Sequence, residues 1–211
     1  MQKNAVPKAV IWRLPYYYCC LRDLDLHAVE RISSEEMAEL MKVTSSQVRQ
    51  DLSYFGTFGM KGYGYNVRQL LISLGNILGI NEINHMIVVG VGTFGRALLQ
   101  NFPFSQYGFA VDAAFSASSK TIGSSVSGVP VYHINKLEEF VKNHNIKIAA
   151  LTLSPPDAQN VVDLLTRCGI TGFWNFTGVE LTSGVSQAAF EDIQFANSLL
   201  RLNYRMKHPA Q

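Results

Sequence analysis

The chain has 211 residues, of which 47% are hydrophobic and 16% are charged, so it is suited to one large globular domain or two small ones and is not a disordered protein. Its formal net charge of +2 says little about partners, and the absence of an apolar run of about eighteen residues and of a signal-peptide pattern predicts a cytoplasmic protein with no membrane partner. Three cysteines without metal-ligand spacing predict reduced thiols and no bound metal.

Residues 1–80 have the pattern of a small helical domain. The stretch AVIWRLPYYYCCLRDL predicts a first helix, interrupted or kinked near Pro15. Two short helices are predicted next. They open at Ser33 and Thr44, each with a capping box in which the side chain three residues on reaches back to the cap. Because only a tight turn separates them, the pair is typical of a helix-turn-helix.

The second of these short helices, SSQVRQDLSYF, has an inward apolar face and an outward polar face. Val48, Leu52 and Phe55 recur at helical spacing and are predicted to pack inward. The outward residues are of the kinds that contact base edges, since arginine pairs with guanine and glutamine with adenine. These residues are Ser46, Gln47, Arg49, Gln50 and Ser53. Taken alone, the face is equally consistent with an ordinary solvated helix.

The stretch FGTFGMKGYGYNV follows directly and holds four glycines among aromatic residues. This composition predicts a hairpin-like wing, in which glycines let the backbone approach a DNA groove and Lys61 neutralises a phosphate or enters the minor groove. An ordinary turn rarely needs so many glycines. We therefore predict a winged-helix DNA-binding domain over residues 1–80, whose last helix, VRQLLISLGNILGI, connects it to the next domain.

The next stretch, HMIVVGVGTFGRALLQNF, predicts a strand, a glycine turn and a helix. Gly90 permits the tight turn, Gly92 lets the backbone approach a pyrophosphate, and Gly95 lets helix and strand pack closely. The amides at the helix start are placed to face phosphates. The predicted ligand-binding turn comprises Gly90, Val91, Gly92, Thr93, Phe94 and Gly95. A purely structural turn is the alternative.

Strands and helices go on alternating, which predicts an open α/β sheet of the Rossmann type over residues 84–185. Too few residues follow it for a substrate domain, and no His–Asp or Tyr–Lys pair forms a catalytic constellation, so we do not expect an enzyme. Residues 186–211 include FEDIQFANSLLRLNYRMKH, which predicts an amphipathic helix that docks on a second subunit. A homodimer also suits a winged-helix protein that binds a two-fold DNA site.

The strand YGFAVDAAF is followed by Ser116, where a dinucleotide-binding fold usually carries the acidic residue that binds the ribose hydroxyls of NAD. Ser118, Ser119 and Lys120 come next. Hydroxyls and a cation are what the 2′-phosphate of NADP needs, so NAD(H) and NADP(H) both stay open as cofactors, with Ser116 and Lys120 as binding residues. A solvated loop without a ligand is the other explanation.

Over essentially its whole length the chain resembles the Rex family of bacterial transcriptional repressors, which respond to the NADH/NAD balance. The most specific segments are SSQVRQDLSYFGTFGMKGYGY, GVGTFGRALL, GVPVYHINKLEEFV and FWNFTGVEL. The resemblance implies a homodimer with winged helices on operator DNA, a Rossmann domain that binds a dinucleotide, and a C-terminal helix swapped between subunits. In the family, NADH closes the dimer and releases the operator.

Carried across by position, the resemblance assigns the DNA contacts to one helix and to the wing. The residues concerned are Ser45, Ser46, Gln47, Arg49, Gln50, Ser53 and, in the wing, Lys61. The family commonly has lysine where Gln50 stands and Lys-Arg where Met60-Lys61 stand, so two positive charges per subunit are missing. We expect weaker DNA binding with a shallower salt dependence, while Arg49 keeps the sequence preference.

The resemblance also implies a switch network of Arg13, Phe102 and Gln194. Family members have aspartate where Gln194 stands and tyrosine where Phe102 stands, so Arg13 is expected to lack its carboxylate partner. We predict a Rex-type repressor with a weakened response to NADH. The alternatives are a paralogue whose ligand response is lost or altered, including an NADP(H)-responsive form, and an NAD(P)-dependent oxidoreductase.

Overall fold

The structure, a computed structural model, describes residues 6–59, 62–184 and 188–208. It divides into two compact units, one ending at Glu82 and the other beginning at Ile83. Each unit encloses hydrophobic core of its own.

The N-terminal unit combines helices with a two-stranded antiparallel sheet. Its elements are, in chain order, α1 (Lys8–Leu26), β1 (Arg31–Ile32), α2 (Ser34–Met41), α3 (Ser45–Ser53), β2 (Tyr65–Asn66) and α4 (Val67–Leu78). α1 is one continuous helix through Pro15, so of the two predicted outcomes the interruption is wrong and the kink stays a prediction. Helices α2 and α3 form the predicted helix-turn-helix, and the glycine-rich segment after α3 leads back to β2, which pairs with β1. This is the predicted winged-helix arrangement.

Local hydrogen bonds set the starts of α2 and α3. α2 opens with the predicted capping box, in which Ser33 Oγ accepts from the amide of Glu36 and the Glu36 carboxylate accepts from the amide of Ser33. At α3, Thr44 Oγ1 accepts from the amide of Gln47. The Gln47 side chain donates to Asp51 instead of reaching back, so the second predicted box is wrong. A hydrogen bond to an ionised carboxylate is stronger than a neutral cap, which explains the outcome.

The core of this unit gathers apolar side chains from all four helices. Val48 and Leu52 of α3 are buried in it, and Phe55 packs against it half-buried, as their spacing predicts. Burying this side of α3 fixes which of its residues face outward. The other buried members are Leu14, Tyr17, Leu21, Ile32, Met37, Ala38, Tyr65, Val67, Leu70 and Leu74.

The C-terminal unit is built on a seven-stranded sheet. Its elements are β3 (Asn84–Val89), α5 (Thr93–Asn101), β4 (Phe109–Ser116), β5 (Ser125–Val126), β6 (Val129–His133), α6 (Leu137–His144), β7 (Ile148–Leu151), α7 (Pro155–Arg167), β8 (Gly172–Asn175), β9 (Ala189–Asp192) and α8 (Phe195–Lys207). The strand order is β5-β6-β4-β3-β7-β8-β9, and the neighbouring pairs are parallel except for the β5–β6 hairpin. This is the predicted Rossmann-like sheet.

The sheet carries a core on each face, which requires strands that are apolar on both sides. In β3, Ile87 and Val89 enter one core, and Met86 and Val88 enter the other. Because six of the seven strands run in the same direction, their carboxyl ends share one edge. Ligands of such sheets bind at this edge.

The end of the chain departs from our expectation. We predicted one helix over FEDIQFANSLLRLNYRMKH, but Ala189–Asp192 form β9, parallel to β8, and α8 begins only at Phe195. In β9 only Phe190 is partly buried, stacked on Phe173 with 4.9 Å between ring centroids, so the alternation is too weak to reveal a strand. The predicted boundary between residues 185 and 186 lies outside the described part of the chain.

α8 buries none of its residues within this single chain. Its large apolar side chains are all more than half exposed: Phe195, Leu199, Leu200, Leu202, Tyr204 and Met206. An exposed apolar face of this size is typical of an interaction surface. Among the described helices, none has the length and apolar character needed to cross a membrane.

Candidate functional site

The outward face of α3 and the glycine-rich segment after it border a groove of about 710 Å³. Four residues predicted to contact DNA are exposed on this helix: Ser46, Arg49, Gln50 and Ser53. Two others, Ser45 and Gln47, are half-buried. Lys61, the predicted wing contact, lies outside the described residues.

Arg49 is held by both helices of the helix-turn-helix. Its Nη1 donates to Ser34 Oγ at 2.8 Å and to Glu35 Oε1 at 3.2 Å, both on α2. Its Nη2 donates to Ser46 Oγ at 3.3 Å. The Arg49 side chain is still 52% exposed, so the guanidinium stays accessible from the groove.

Asp51, an acidic residue of α3 that is only 1% exposed, was not predicted to have a role. Its carboxylate accepts from Arg13 Nε at 2.6 Å and Nη2 at 2.9 Å, from the Tyr17 hydroxyl at 3.0 Å and from Gln47 Nε2 at 2.7 Å. Arg13 therefore has a carboxylate partner within the unit, Asp51, which is not the aspartate that the family carries where Gln194 stands. Gln47, predicted to contact a base, has its amide engaged inside the unit.

The charges of this cluster support one another. Burial raises the pKa of Asp51, but the hydrogen bonds from Arg13, Gln47 and Tyr17 together outweigh burial and hold that pKa below its ordinary value. The hydrogen bond to Asp51 in turn raises the pKa of Arg13. Both groups are ionised at neutral pH, so a charged, bidentate contact ties α1 to α3.

Arg31 of β1 attaches the wing. Its Nη1 donates to the carbonyl oxygen of Tyr63 at 3.2 Å, and its guanidinium carbon lies 6.0 Å from the centre of the Tyr63 ring. Gly64 has a φ of +66°, and a Cβ there would lie 2.5 Å from the carbonyl oxygen of Ile32. Only glycine lets the wing approach β1 this closely.

The glycine turn after β3 lies at the carboxyl edge of the sheet, and its glycines serve different purposes. Gly90 has a φ of +104°, and a Cβ there would lie 2.6 Å from the backbone nitrogen of Leu153. A Cβ on Gly95 would lie 2.6 Å from Thr152 Oγ1 and collide with the carbonyl oxygen of Gly90. The fold itself therefore needs these two glycines. Gly92 differs, since its φ is −72° and no atom of the described chain lies within 4 Å of its Cβ position.

α5 starts at this turn without a side-chain cap on its N-terminus. Ser33, Thr44 and Asn66 cap α2, α3 and α4 with side-chain oxygens, whereas α1, α6, α7 and α8 start without such a cap, as α5 does. The first amides of an uncapped helix and the positive end of its dipole together attract an anion. With Gly92 open beside them, these amides form a site suited to a phosphate group.

The turn also contacts the start of the terminal helix. Thr93 and Phe94 are exposed where α5 begins, whereas the Val91 side chain is buried and offers only its backbone. The Phe94 ring lies 5.0 Å from that of Phe176, which follows β8, and 5.8 Å from that of Phe195, the first residue of α8. A ligand at the turn would therefore lie close to α8.

Ser116 ends β4 at the same edge and is 6% exposed. Its Oγ accepts from the amide of Ser118 at 3.1 Å and from the Thr121 hydroxyl at 2.9 Å, which closes the turn after the strand. The Ser116 hydroxyl keeps its own proton to donate, whereas an aspartate would only accept. Lys120 is exposed in the same turn. Together they suit a contact with a ribose or phosphate oxygen.

The other two predicted switch residues belong to this unit. Phe102 packs in an aromatic cluster, with 4.9, 5.6 and 5.4 Å between its ring centroid and those of Phe104, Tyr107 and Trp174. Gln194 precedes α8, and its Oε1 accepts from Asn197 Nδ2 at 2.6 Å. Phe102 is therefore a packing residue, and Gln194 closes the first turn of α8. Arg13 lies in the N-terminal unit, bonded to Asp51.

One buried polar residue at the sheet edge was missed. Asn175 ends β8, is 1% exposed, and donates through Nδ2 to the Val179 carbonyl oxygen at 2.8 Å and to Asp192 Oδ1 at 2.6 Å. Its Oδ1 accepts from the amide and hydroxyl of Thr177. It therefore fixes the turn after β8 and joins β8 to β9. Within the described ranges, no group of three His, Cys, Asp or Glu residues is arranged to hold a metal ion.

Two family models match the sequence. One is described as "Putative DNA-binding protein N-terminus" and covers residues 5–53, and the other as "CoA binding domain" and covers residues 81–179. Curated relatives named "Redox-sensing transcriptional repressor Rex" match over nearly the whole chain. That of Caldanaerobacter subterraneus subsp. tengcongensis is 38% identical over 205 residues, 97% of this chain and 91% of the relative. That of Clostridioides difficile is 39% identical over 204 residues, 96% of each chain.

Solved structures with the same fold include three of one protein. The crystal structure of RSP in complex with beta-NAD+ and operator DNA has a TM-score of 0.91 and 36% sequence identity, covering 97% of this chain and 94% of that one. RSP in complex with beta-NADH has a TM-score of 0.88 and 34% identity, covering 97% and 95%. RSP is described as a Rex-family repressor.

Proposed function

Because this chain belongs to the Rex family of redox-sensing transcriptional repressors, we propose that it represses transcription by binding operator DNA and that NAD+ and NADH control that binding. It is a regulator and not an enzyme, as its relatives are named. The observation that carries the proposal is the open Gly92 at an uncapped helix start, in a chain whose other unit exposes Arg49 on a helix-turn-helix. A lost dinucleotide response and an oxidoreductase activity are not favoured.

The DNA-binding part of the proposal places the outward face of α3 in the major groove and the wing beside it. The proposed contacts are Ser45, Ser46, Arg49, Gln50, Ser53 and Lys61. The bare apolar face of α8 supports a homodimer, since a second copy would cover it and would supply the second half of a two-fold contact. Such a protein acts in the cytoplasm, where bacterial DNA is found.

Replacing Arg49 with alanine tests the DNA-binding part. We expect affinity for a duplex that the wild-type chain selects from a random-sequence pool to fall about ten- to hundredfold, because one bidentate base contact is lost. Fluorescence anisotropy at fixed salt measures it. Arg167→Ala is the control, since it removes an equal charge from an exposed site of the other unit. Equal losses in both variants would mean that Arg49 contributes charge alone.

The ligand-binding part places a pyrophosphate at the start of α5 and the adenosine ribose near Ser116. The proposed residues are Gly90, Val91, Gly92, Thr93, Phe94, Gly95, Ser116 and Lys120. NAD(H) is the ligand, and the serine in place of an acid makes the ribose contact weaker. The Ser116 hydroxyl and Lys120 also suit the 2′-phosphate of NADPH, because one donates a hydrogen bond and the other is a cation. NADPH is therefore the competing ligand to test.

Replacing Ser116 with aspartate is expected to tighten NADH binding about tenfold and to weaken NADPH binding, because the carboxylate accepts from the ribose hydroxyls and repels a phosphate. Isothermal titration calorimetry with each dinucleotide measures both effects. Ser105→Asp, at an exposed position before β4 and away from this turn in sequence, controls for a general effect of negative charge. If NADH affinity does not rise in Ser116→Asp, then the ribose does not lie near Ser116.

A further inference from the structure

The contact between Glu35 and Arg49 contributes little to the stability of the fold. The two side chains are 65% and 52% exposed, and water and salt screen ion pairs at such sites. Glu35 is not needed to begin α2 either, because Ser33 and Glu36 form its capping box. Since this contact neither stabilises the fold much nor starts α2, we looked for its role in what Arg49 binds.

The geometry anchors one end of the Arg49 guanidinium and leaves the other end open. The Nη1 group donates to Ser34 and to Glu35, so its position is set by α2. The Nη2 group donates once, to Ser46. Among the described residues, Nε has no partner and Nη2 has only Ser46, at 3.3 Å. These two nitrogens form one edge of a rigid planar group, and that edge is suited to a bidentate contact to guanine O6 and N7.

We propose that Glu35 is a positioning residue for specific DNA recognition, holding the Arg49 guanidinium in the orientation that pairs with guanine and restraining it from contacts with phosphates. This rests on the proposed function above. An unanchored arginine turns toward the nearest phosphate, which carries no sequence information. An anchored arginine has lost its rotamer freedom before it meets a base, so less entropy is lost on binding. The Glu35 carboxylate also repels phosphate oxygens, which lowers affinity for unrelated DNA.

The test compares Glu35→Ala with Glu39→Ala in the full chain. Glu39 is an exposed acid of the same helix without a contact to Arg49 in the structure, so its removal takes away the same charge and no anchor. The probes are a duplex selected by the wild-type chain from a random-sequence pool and a scrambled duplex of equal length, at one salt concentration.

For Glu35→Ala we expect affinity for the selected duplex to fall about three- to tenfold and affinity for the scrambled duplex to rise about twofold. For Glu39→Ala both affinities rise together, and their ratio stays constant. Glu35→Gln keeps an acceptor for Arg49 and is expected to restore most of the selectivity. Amide hydrogen exchange in α2 and α3 shows whether each variant keeps the wild-type fold.

Two results would overturn the proposal. An unchanged ratio of the two affinities in Glu35→Ala, including an equal gain on both duplexes, would make Glu35 no more than a nearby charge. A selective gain on the selected duplex would make it a competitor of the DNA. If the wild-type chain selects no duplex from the pool, the proposed function itself fails, and that outcome is distinct from the other two.

Discussion

Replacing Asp51 with alanine is expected to destabilise the N-terminal unit by about 3–5 kcal/mol. The substitution leaves Arg13, Tyr17 and Gln47 without their shared acceptor, and the Arg13 side chain is only 28% exposed. Leaving the Arg13 guanidinium partly buried without a counter-charge costs much more free energy than is regained by no longer burying the carboxylate. Urea unfolding, followed by hydrogen exchange of amides in α1 and α3, measures the loss for this unit separately.

Tyr17→Phe provides a graded control for this prediction. It removes one of the four hydrogen bonds to Asp51 and leaves the charge pair intact, so we expect a loss of about 1 kcal/mol. A loss in Asp51→Ala no larger than that in Tyr17→Phe would show that the charge pair contributes nothing beyond a neutral hydrogen bond.

The effect of Asp51→Ala should also depend on pH. Because the pKa of Asp51 is lower in the folded than in the unfolded chain, its carboxylate stabilises the fold fully above the ordinary value of 3.8. That contribution is lost as the pH falls through the lowered folded value. The difference in unfolding free energy between wild type and variant is therefore constant near neutral pH and shrinks below about pH 4. A difference that does not shrink in acid would mean that Asp51 is not ionised.

Replacing Gly92 with alanine is expected to weaken NADH binding at least about tenfold, equivalent to about 1.4 kcal/mol, without destabilising the protein. The added methyl group meets no protein atom in the described chain, and the backbone there has a conformation that alanine adopts freely. It instead occupies the space in front of the α5 amides, where the pyrophosphate is proposed to bind. Calorimetric titration gives the affinity, and thermal unfolding gives the stability.

Two other glycines make this prediction specific. No atom of the described residues lies within 4 Å of the Gly184 Cβ position either, and Gly184 is far from the turn in sequence, so Gly184→Ala should change neither NADH affinity nor stability. Gly95→Ala should lower both NADH affinity and stability, because its Cβ collides with the carbonyl oxygen of Gly90. If Gly92→Ala binds NADH as the wild type does, the pyrophosphate lies elsewhere.

Local patterns were enough to predict much of the fold. The apolar run before Gly90 and the glycine spacing that follows placed β3, the turn and α5 correctly, because strand burial and turn geometry depend on neighbours in sequence. The same holds for the capping box at Ser33 and for the inward face of α3. β9 was missed because only Phe190 distinguishes its two sides.

The polar clusters could not be predicted in the same way. Asp51 sits on an otherwise polar helix, and its partner Arg13 is 38 positions away, so periodicity gives no sign that the two meet. The resemblance pointed only to the aspartate that is missing at Gln194, and it gave no sign that Arg13 pairs with Asp51. Asn175 was visible as a polar residue that ends an apolar strand, but its bond to Asp192 depends on the unpredicted β9.

If the bare apolar face of α8 is where two copies meet, as proposed above, the abundance of the protein becomes a variable in its own regulation. If a second copy covers this face, each chain gains stability in proportion to the logarithm of the concentration of its partner. Newly made chains in a cell with few copies are then both poor at spanning a two-fold site and more open to proteolysis. Repression should accordingly increase more than linearly with copy number. Expression of the target genes would then depend on the amount of the regulator as well as on the redox balance.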